Sequence, residues 1–335
     1  MEKISFKSLI VEEKEGVFVH SITQKFIEDL PDGDVLIKVA YSGLNYKDAL
    51  SFRGHKGITK SYPHTPGIDA SGVVIQSQSD KFKEGDKVVV TGYDLGMNTS
   101  GGFQEYIRVP SEWVVPLPKS LSLKEAMIYG TAGFTASLAI YRIQQIGIFP
   151  NSGRILVTGA TGGVGMLAIA LLSKLGYEIE ASTGKAEFTD LLKEIGVQRI
   201  LSREDIIDNS TRPLLSRRWK AVIENVGGNT LSSVIKQVEK GGAVVVIGNV
   251  SGDVFQSSVY PFLLRGIALL GVESAETQMN LRLQLWDKLA NDWKIDCFDK
   301  IHRVIEFEEV PEELKKMLEG RQAKKVVVKI DPNLN

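Results

Sequence analysis

The stretch from Ile155 to Gly165 has the composition of a phosphate-binding turn. It reads Ile-Leu-Val-Thr-Gly-Ala-Thr-Gly-Gly-Val-Gly, and the apolar run 166–172 follows it as a predicted helix. Glycines have no Cβ, so the backbone can approach a ligand, and a helix N-terminus offers free N–H groups and a partial positive charge. Many tight turns are also rich in glycine, but this one stands between a strand and a helix. We therefore predict that it binds the pyrophosphate of a dinucleotide.

The end of the next predicted strand, 177–184, should decide which dinucleotide binds. An acidic side chain at the strand tip bonds the ribose 2′-hydroxyl of NAD, whereas the 2′-phosphate of NADP needs hydroxyls and cations. Glu180 lies at about the right distance from the turn, but the strand continues past it and makes it a mid-strand residue. The tip is then Ser182 to Lys185, and Arg203 after the third strand can close over the same phosphate. We predict NADPH, with solvated surface charges as the alternative interpretation of the two cations.

A second group of polar residues lies in the segment Tyr41 to Asp48, directly after another predicted strand. It brings together an amide, a phenol, an ammonium and a carboxylate. Polar residues after a strand usually begin a helix, so this segment alone has a structural as well as a catalytic interpretation.

A metal site is not predicted. Zinc needs Cys, His or carboxylate ligands that converge in a tetrahedral arrangement. The chain has one cysteine and four histidines, with no Cys-x-x-Cys and no histidine pair at ligand spacing. Only His55 and His64, which lie near the polar segment, remain as weak candidates for metal ligands.

The elements that must position these residues fall into two patterns. The first 120 or so residues carry short strand-like runs separated by turn residues, which is typical of a compact barrel-like domain. From Ser122 the pattern becomes helical, and the middle of the chain alternates strands with helices. That alternation predicts an α/β fold with a doubly wound parallel sheet, whose ligands bind beyond the carboxyl ends of the strands. Two later strands also end in glycine, at 227–228 and at 248.

Composition excludes several classes of function. The chain has 335 residues, 43% of them hydrophobic and 24% charged, which is the balance of a globular protein of about two domains. A formal net charge of −1 gives no electrostatic reason to expect nucleic acid or an anionic membrane as partner. The single cysteine, Cys297, excludes an intrachain disulfide. With no signal-peptide pattern and no apolar run near the ~20 residues that span a bilayer, we expect a soluble cytoplasmic protein.

Five segments, in order along nearly the whole chain, carry a family resemblance. The chain resembles the zinc-independent quinone oxidoreductases of the medium-chain dehydrogenase/reductase superfamily, and within them the YhdH/YhfP group, whose members include NADPH-dependent acryloyl-CoA reductases. The segments are Tyr41–Ala49, Pro66–Ala70, Tyr129–Ala136, Val157–Gly165 and Tyr260–Arg265.

The resemblance implies a domain plan. Residues 1–126 and the return segment 276–335 would form a GroES-like β-rich catalytic domain, and residues 127–275 a Rossmann domain that binds NADPH. Family members commonly dimerise through the last Rossmann strand, so a homodimer is expected here. Zinc-dependent relatives carry Gly-His-Glu where this chain has Gly67-Ile68-Asp69.

The resemblance also implies site residues. Tyr46 would contact the nicotinamide end, Gly162 to Val164 the pyrophosphate, and Thr183 to Lys185 with Arg203 the 2′-phosphate. The chain has Thr-Gly-Lys where the family often has Ser-Gly-Arg, and its C-terminal Gly-Arg-Gln-Ala-Lys-Lys325 departs from the usual Asn-x-x-x-Gly-Arg. The cofactor-binding residues predicted from the resemblance and the strand-end turns are Tyr46, Thr131, Gly159, Thr161, Gly162, Gly163, Val164, Ser182, Thr183, Gly184, Lys185, Arg203, Gly227, Gly248, Asn249, Val250 and Ser274.

A reduction mechanism follows from these assignments. When hydride adds to an α,β-unsaturated thioester or ketone, negative charge develops on the carbonyl oxygen. Asn45 and Tyr46 are predicted to donate hydrogen bonds to that oxygen, with Asp48 holding them in place. Tyr46 is also a candidate proton donor to the enolate, but its ordinary pKa of about 10 makes it a weak acid, and water is an equal candidate.

Two other functions remain open at this point. One is the reduction of quinones or of general electrophilic alkenes with no CoA thioester. The other is a non-catalytic NADPH-binding protein that acts as a redox sensor or a structural protein. Lysines and arginines are spread throughout the sequence, so charge alone does not identify a CoA site.

Overall fold

The computed structural model describes residues 4–331 and 333–334. In chain order, its strands are β1 (Ser5–Lys14), β2 (Val17–Phe26), β3 (Val35–Gly43), β4 (Asp69–Ser77), β5 (Lys87–Thr91), β6 (Tyr106–Val109), β7 (Val114–Pro116), β8 (Ile155–Val157), β9 (Ile179–Ser182), β10 (Arg199–Leu201), β11 (Trp219–Glu224), β12 (Val238–Val246), β13 (Ala268–Gly271), β14 (His302–Glu306) and β15 (Lys325–Lys329). Its α-helices are α1 (Tyr46–Phe52), α2 (Leu123–Gln145), α3 (Gly163–Lys174), α4 (Thr189–Glu194), α5 (Gly228–Ile235), α6 (Tyr260–Arg265), α7 (Met279–Ala290), α8 (Phe298–Ile301) and α9 (Val310–Leu318).

The chain forms two compact units. The first contains the chain up to Thr131, the segment Ala275–Ala290 and the chain from His302 onward. The second contains Ala132–Ser274 and Asn291–Ile301. The expected return segment is therefore divided, because Asn291–Ile301 packs with the second unit. The first crossover lies inside helix α2, a few residues after the expected boundary.

The first unit is built mainly on antiparallel β-structure, with one parallel pair, β14 and β15. β1 and β2 form a two-stranded hairpin that the sequence pattern did not predict. The main sheet has the strand order β14-β15-β3-β4-β5-β7, with β6 also paired to β3. Strand β15 pairs antiparallel with β3, so the C-terminal strand joins the sheet of this unit. The core between these strands is aliphatic and aromatic, with Val39, Val88, Phe103 and Ile107 fully buried.

The second unit is a parallel sheet flanked by helices. Its strand order, β10-β9-β8-β11-β12-β13, is the Rossmann order 3-2-1-4-5-6. The central strands are continuous apolar runs because both faces of the sheet are covered, and Val222 and Val244 are completely buried. Strand order reverses between β8 and β11, so the loops at the carboxyl ends of these two strands are where a ligand is expected.

Helix α2 is interrupted at Gly130. Its φ of 49° and ψ of −155° are not helical, so the segment is two helices that meet at a kink. A residue with a side chain is strained at this positive φ, which explains a glycine at that point. Among the described residues, no helix is long and apolar enough to cross a lipid bilayer.

Candidate active site

The glycine-rich turn lies where β8 ends and α3 begins. Gly159 has φ of +58°, and Gly162 is the residue before the first turn of α3. Gly162 donates its N–H to the Gly159 carbonyl oxygen at 3.0 Å, which closes the turn. A Cβ at Gly165 would collide with the Gly159 carbonyl, so the helix packs directly on the loop. Gly163 and Val164 open the helix, and their position suits backbone N–H donation to a phosphate.

The tip of β9 brings together the cations predicted to read the 2′-phosphate. A Cβ at Gly184 would lie 2.8 Å from Cζ of Arg203, so the guanidinium rests on the glycine backbone. Burial lowers the pKa of Lys185, the nearby Glu187 carboxylate raises it in part, and the Arg203 charge lowers it further. Two cations therefore meet at one exposed backbone position, an arrangement that favours a bound anion.

Three hydroxyl side chains lie at this strand tip: those of Thr161 and Thr183 lie close together, and that of Ser182 is buried. The Thr161 and Thr183 hydroxyls lie 3.3 Å apart, and Thr183 also accepts the N–H of Lys185 at 3.1 Å. Ser182 is buried, and its hydroxyl donates to the Ser202 carbonyl oxygen at 3.4 Å. Its predicted contact with the cofactor therefore finds no support in the geometry, because the hydroxyl points into the protein.

Glu180 is fully engaged inside the second unit. Its carboxylate accepts hydrogen bonds from Arg154 and from the Trp219 indole N–H, each at 2.8 Å. The side chain is only 3% exposed. It lies in the middle of β9, as the sequence indicated, and its carboxylate is not available to a ribose.

The loops after β11 and β12 pack against each other through glycine. A Cβ at Gly227 would lie 2.9 Å from Cα of Asn249, and a Cβ at Gly248 would meet the backbone of Asn225. Val250, the last residue predicted in this region, is 71% exposed.

Glu224 organises these loops and was missed in the sequence. It ends β11, is buried, and accepts hydrogen bonds from the Thr158 hydroxyl and from the N–H groups of Val226 and Gly227. Burial raises its pKa. Because Thr158 belongs to the turn after β8, one carboxylate ties together the loops on both sides of the point where strand order reverses. The sequence signal that could have identified Glu224 is an acidic residue at the end of an otherwise apolar strand.

Ser274 is the last residue of the second unit before the chain returns to the first. The Thr135 hydroxyl donates to the Ser274 hydroxyl at 2.9 Å. Both residues belong to the second unit.

In the first unit, helix α1 begins at Tyr46, whose side chain is 41% exposed. Asn45 precedes it, and the Asn45 N–H donates to the Asp48 carboxylate at 2.8 Å. Asp48 is fully buried and also accepts the Ile68 N–H at 2.9 Å. Burial, followed by the charge of Asp69, raises the pKa of Asp48 to about 7. Asp48 is thus bonded to Asn45, and its role in holding Asn45 and Tyr46 for the reaction stays a prediction.

The Asn45 side chain faces inward instead of capping the helix. Its amide nitrogen donates to the Gly43 carbonyl oxygen at 3.0 Å and to Asp69 Oδ2 at 2.8 Å, while its Oδ1 accepts from Lys325 at 3.2 Å. Both amide hydrogens are therefore used within the protein. Asn45 cannot donate to a substrate oxygen in this arrangement, so the prediction that it does needs correction.

Asp69 and Lys325 form a buried ion pair that sequence reasoning did not assign to the site. Their atoms Oδ2 and Nζ lie 3.3 Å apart, and the side chains are 0% and 1% exposed. Asp69 Oδ1 also accepts the Thr131 hydroxyl at 2.6 Å and the Thr131 N–H at 2.9 Å. Thr131, predicted as a cofactor contact, is thus held by this pair. Asp69 stood within a quoted motif, but the partner that neutralises it is 256 residues away in sequence.

His64, one of the two histidines near the polar segment, is held within the first unit. His64 is buried, its Nε2 lies 3.0 Å from the Gly96 carbonyl oxygen, and burial lowers its pKa. Among the residues that the structure describes, no group of three or more His, Cys, Asp or Glu side chains has the arrangement of a metal site.

Two family models match this chain. Residues 31–119 match the alcohol dehydrogenase GroES-like domain, and residues 163–290 match the zinc-binding dehydrogenase model. The putative quinone oxidoreductase YhfP of Bacillus subtilis is 46% identical over 90% of this chain and 92% of its own length. The chain belongs to the medium-chain dehydrogenase/reductase superfamily. Within it, the chain falls in the group of acrylyl-CoA reductases and quinone oxidoreductases, and it is an oxidoreductase.

Other members of this group cover nearly the whole chain. The acrylyl-CoA reductase AcuI of Ruegeria pomeroyi is 39% identical over 97% of this chain and 99% of its own length. The YhdH oxidoreductase of Salmonella enterica, solved with NADP, has a TM-score of 0.94 and 38% identity, over 97% of this chain and all of its own. The structure of Bacillus subtilis YhfP, solved with NAD, has a TM-score of 0.95 and 44% identity, over 98% of this chain and all of its own. The group thus includes structures with either dinucleotide.

Proposed function

We propose that this oxidoreductase uses NADPH to reduce the activated double bond of an α,β-unsaturated carbonyl compound, without zinc. The observation that carries the proposal is the meeting of Lys185 and Arg203 at Gly184, because two cations there suit the 2′-phosphate that distinguishes NADPH from NADH. The Ruegeria pomeroyi relative named acrylyl-CoA reductase supports the substrate class.

The residues present fit this cofactor. Four of the seven residues from Gly159 to Gly165 are glycines, which lets the backbone approach a pyrophosphate, and the turn leads into the N-terminus of α3. The acid that would favour NAD, Glu180, is occupied by Arg154 and Trp219. The 2′-phosphate would be held by the Thr183 hydroxyl, Lys185 and Arg203.

NADPH, when bound, supplies the hydride. The protein must then stabilise the charge that develops on the substrate carbonyl oxygen. The exposed Tyr46 hydroxyl is the donor we assign to that oxygen. Asn45 and Asp48 act behind it, because the Asp48 carboxylate holds the Asn45 N–H and so fixes the point where α1 begins. A proton for the enolate comes from Tyr46 or from water.

The test is a substrate panel with the loss of NADPH absorbance as readout. Acryloyl-CoA, simple enones and quinones are compared with the wild-type enzyme and with Tyr46→Phe. We expect Tyr46→Phe to lower kcat by about tenfold or more with the fold intact, because loss of one donor to a developing oxyanion costs about 100- to 1,000-fold in preorganised sites. Tyr141→Phe, a half-buried tyrosine of the second unit, is the matched control. NADPH binding without turnover on any compound would instead favour the non-catalytic sensor.

Charge on α1 and the segment after it favours a CoA thioester over a quinone. Between residues 46 and 60 the sequence holds four lysines and arginines but only one acid, the buried Asp48. Arg53 and Lys60 are exposed, and Arg53 follows Tyr46 by seven residues, which places both on one side of the helix about 10 Å apart. Such a surface suits the phosphates of CoA, whereas a quinone carries none.

Comparing two thioesters tests this point. We expect the double variant Arg53→Ala/Lys60→Ala to raise KM for acryloyl-CoA several-fold and to leave KM for the phosphate-free acryloyl N-acetylcysteamine thioester unchanged. Lys81→Ala, an exposed lysine between β4 and β5, serves as the control. Equal changes for both thioesters would count against a phosphate contact.

We also propose that two copies associate through the edge of the second unit's sheet. β13 is the last strand in the sheet order, and Leu269 within it is 37% exposed. Leu263 and Leu264 of the preceding helix α6 are 73% and 58% exposed. A bare strand edge with exposed leucines is a natural pairing surface for a second copy. Light scattering on the wild type and on Leu263→Glu/Leu264→Glu should give a dimer and a monomer; a monomeric wild type refutes the assignment.

A further inference from the structure

A lysine ammonium that is excluded from water must find acceptors for its three hydrogens. Lys325 finds three: the Leu44 carbonyl oxygen at 3.2 Å, Asn45 Oδ1 at 3.2 Å and Asp69 Oδ2 at 3.3 Å. Two of these acceptors belong to the residues that lead directly into helix α1. The ammonium is therefore bonded to the start of the helix that carries Tyr46.

Asp69 completes the arrangement from the other side. Its Oδ2 accepts the Asn45 amide at 2.8 Å, and its Oδ1 accepts the Thr131 hydroxyl and N–H. The Asn45 amide nitrogen donates its second hydrogen to the Gly43 carbonyl oxygen, and the amide oxygen accepts from Lys325. Both ends of the amide group therefore have partners. The Asn45 amide orientation is fixed, since a flipped amide would place its nitrogen against the ammonium and its oxygen against the carboxylate.

The backbone around the pair is shaped to admit it. Gly130 has φ of +49°, and a Cβ there would collide with the Asp69 carboxylate and lie 3.2 Å from Lys325 Nζ. The kink of α2 thus brings Thr131 onto Asp69. One ion pair holds both the segment before Tyr46 and the predicted cofactor contact Thr131.

We propose that Lys325 and Asp69 are positioning residues for the reduction. Their ion pair fixes Asn45, and through Asn45 it fixes the first turn of α1, from which Tyr46 faces the carbonyl oxygen of the substrate. The inference rests on the proposed function, since it assigns these residues to the same reaction. Neither residue touches the substrate, so their effect on rate must pass through Asn45 and Tyr46.

The test uses a charge-neutral variant, because removing one partner alone would leave the other charged in the interior. In Lys325→Met/Asp69→Asn the ammonium is gone, and the asparagine at 69 presents an amide nitrogen or a neutral oxygen to Asn45. The matched control is Lys329→Met/Glu306→Gln, which removes the ion pair at 3.4 Å between β15 and β14 near the surface.

Kinetics give the first readout. We expect the Lys325/Asp69 variant to lose at least tenfold in kcat on acryloyl-CoA, with KM changed less than threefold, while the control keeps both constants. Tyr46→Phe should cost tenfold or more in the wild type but less than threefold in the Lys325/Asp69 background. If the two effects multiply in full, Lys325 and Asp69 do not act through Tyr46, and the positioning role is refuted.

Hydrogen exchange gives a readout that does not depend on turnover. In the full-length protein, the amides of residues 45–48 should exchange at least tenfold faster in the Lys325/Asp69 variant and at the wild-type rate in the control. Unchanged exchange there overturns the inference whatever the kinetics show. If the wild type reduces no compound of the panel, the proposed function fails, while exchange still decides whether the pair holds this segment.

Discussion

Cofactor discrimination by Lys185 and Arg203 can be predicted quantitatively. Two opposite unit charges 4 Å apart attract by about 4 kcal/mol at an effective dielectric constant of 20. Arg203 is exposed and Lys185 is half-buried, so solvent screening reduces this value. Hydrogen bonds to charged groups contribute about 1.5–3 kcal/mol, and we take about 1.5 kcal/mol for each side chain. That corresponds to roughly a tenfold change in Kd per cation.

We therefore expect Arg203→Ala and Lys185→Met each to weaken NADPH binding about tenfold, and the double variant about a hundredfold. NADH lacks the 2′-phosphate, so its Kd should change less than threefold. Arg203→Lys should recover only part of the affinity, because an ammonium cannot make the two parallel hydrogen bonds of a guanidinium. Gly184→Ala should weaken NADPH selectively, since the new Cβ would displace the Arg203 guanidinium.

The assay is fluorescence titration of both nucleotides at fixed ionic strength. A repeat at higher salt should reduce the wild-type preference for NADPH, because the interaction is between exposed charges. Tighter binding of NADH than of NADPH by the wild type would refute the assignment. Equal losses for the two nucleotides in the variants would show that these side chains do not read the 2′-phosphate.

Two further predictions concern buried carboxyls. Asp48 has its pKa raised to about 7, so the folded state holds its proton where the unfolded chain, with an ordinary value of 3.8, has lost it. The stabilisation by this proton is complete below pH ~4 and is lost as pH rises to about 7. The unfolding free energy of the wild type relative to Asp48→Asn should therefore fall by about 1 kcal/mol per pH unit between pH ~5 and ~7 and level off above pH ~8. Urea denaturation across this range measures it, and a flat difference would contradict the assignment. Glu180→Gln should lower the unfolding free energy by about 1–3 kcal/mol, because it weakens the contacts to Arg154 and Trp219. It should leave the Kd of NADH unchanged. A weaker NADH complex would show that Glu180 contacts the ribose after all.

The second unit was largely predictable from the sequence. Its strands are apolar runs that end in glycine or polar residues, and its helices begin near where the strand pattern stops. The predicted helix 166–172 lies within α3, and the predicted strand 177–184 contains β9. These patterns lie within short segments of the chain, so a single sequence is enough to detect them. Glu180 was placed correctly in mid-strand for the same reason.

The charged interior of the first unit was not predictable. Asp69 and Lys325 look like a strand-end acid and one of two lysines before an apolar strand. They come together because β3 pairs with β15 on one side and with β4 on the other, and no local pattern encodes these pairings. The same holds for Asn45, whose type and position suggested a free donor until both of its amide hydrogens were found engaged. The hairpin of β1 and β2 was missed because no residue of β2 is buried and the strand has little apolar alternation.

The contrast between the exposed strand tip and the buried ion pair bears on how such an enzyme can change. Arg203 and Gly184 lie at the surface, so we expect a substitution there to alter nucleotide preference with little effect on folding. Preference should then be able to shift one residue at a time. Asp69 and Lys325 allow no such single step, because each leaves the other as an unpaired charge in the interior. Coenzyme choice should therefore be freely adjustable by single mutations, whereas the chemistry beside Tyr46 should change only by the simultaneous exchange of two residues from opposite ends of the chain.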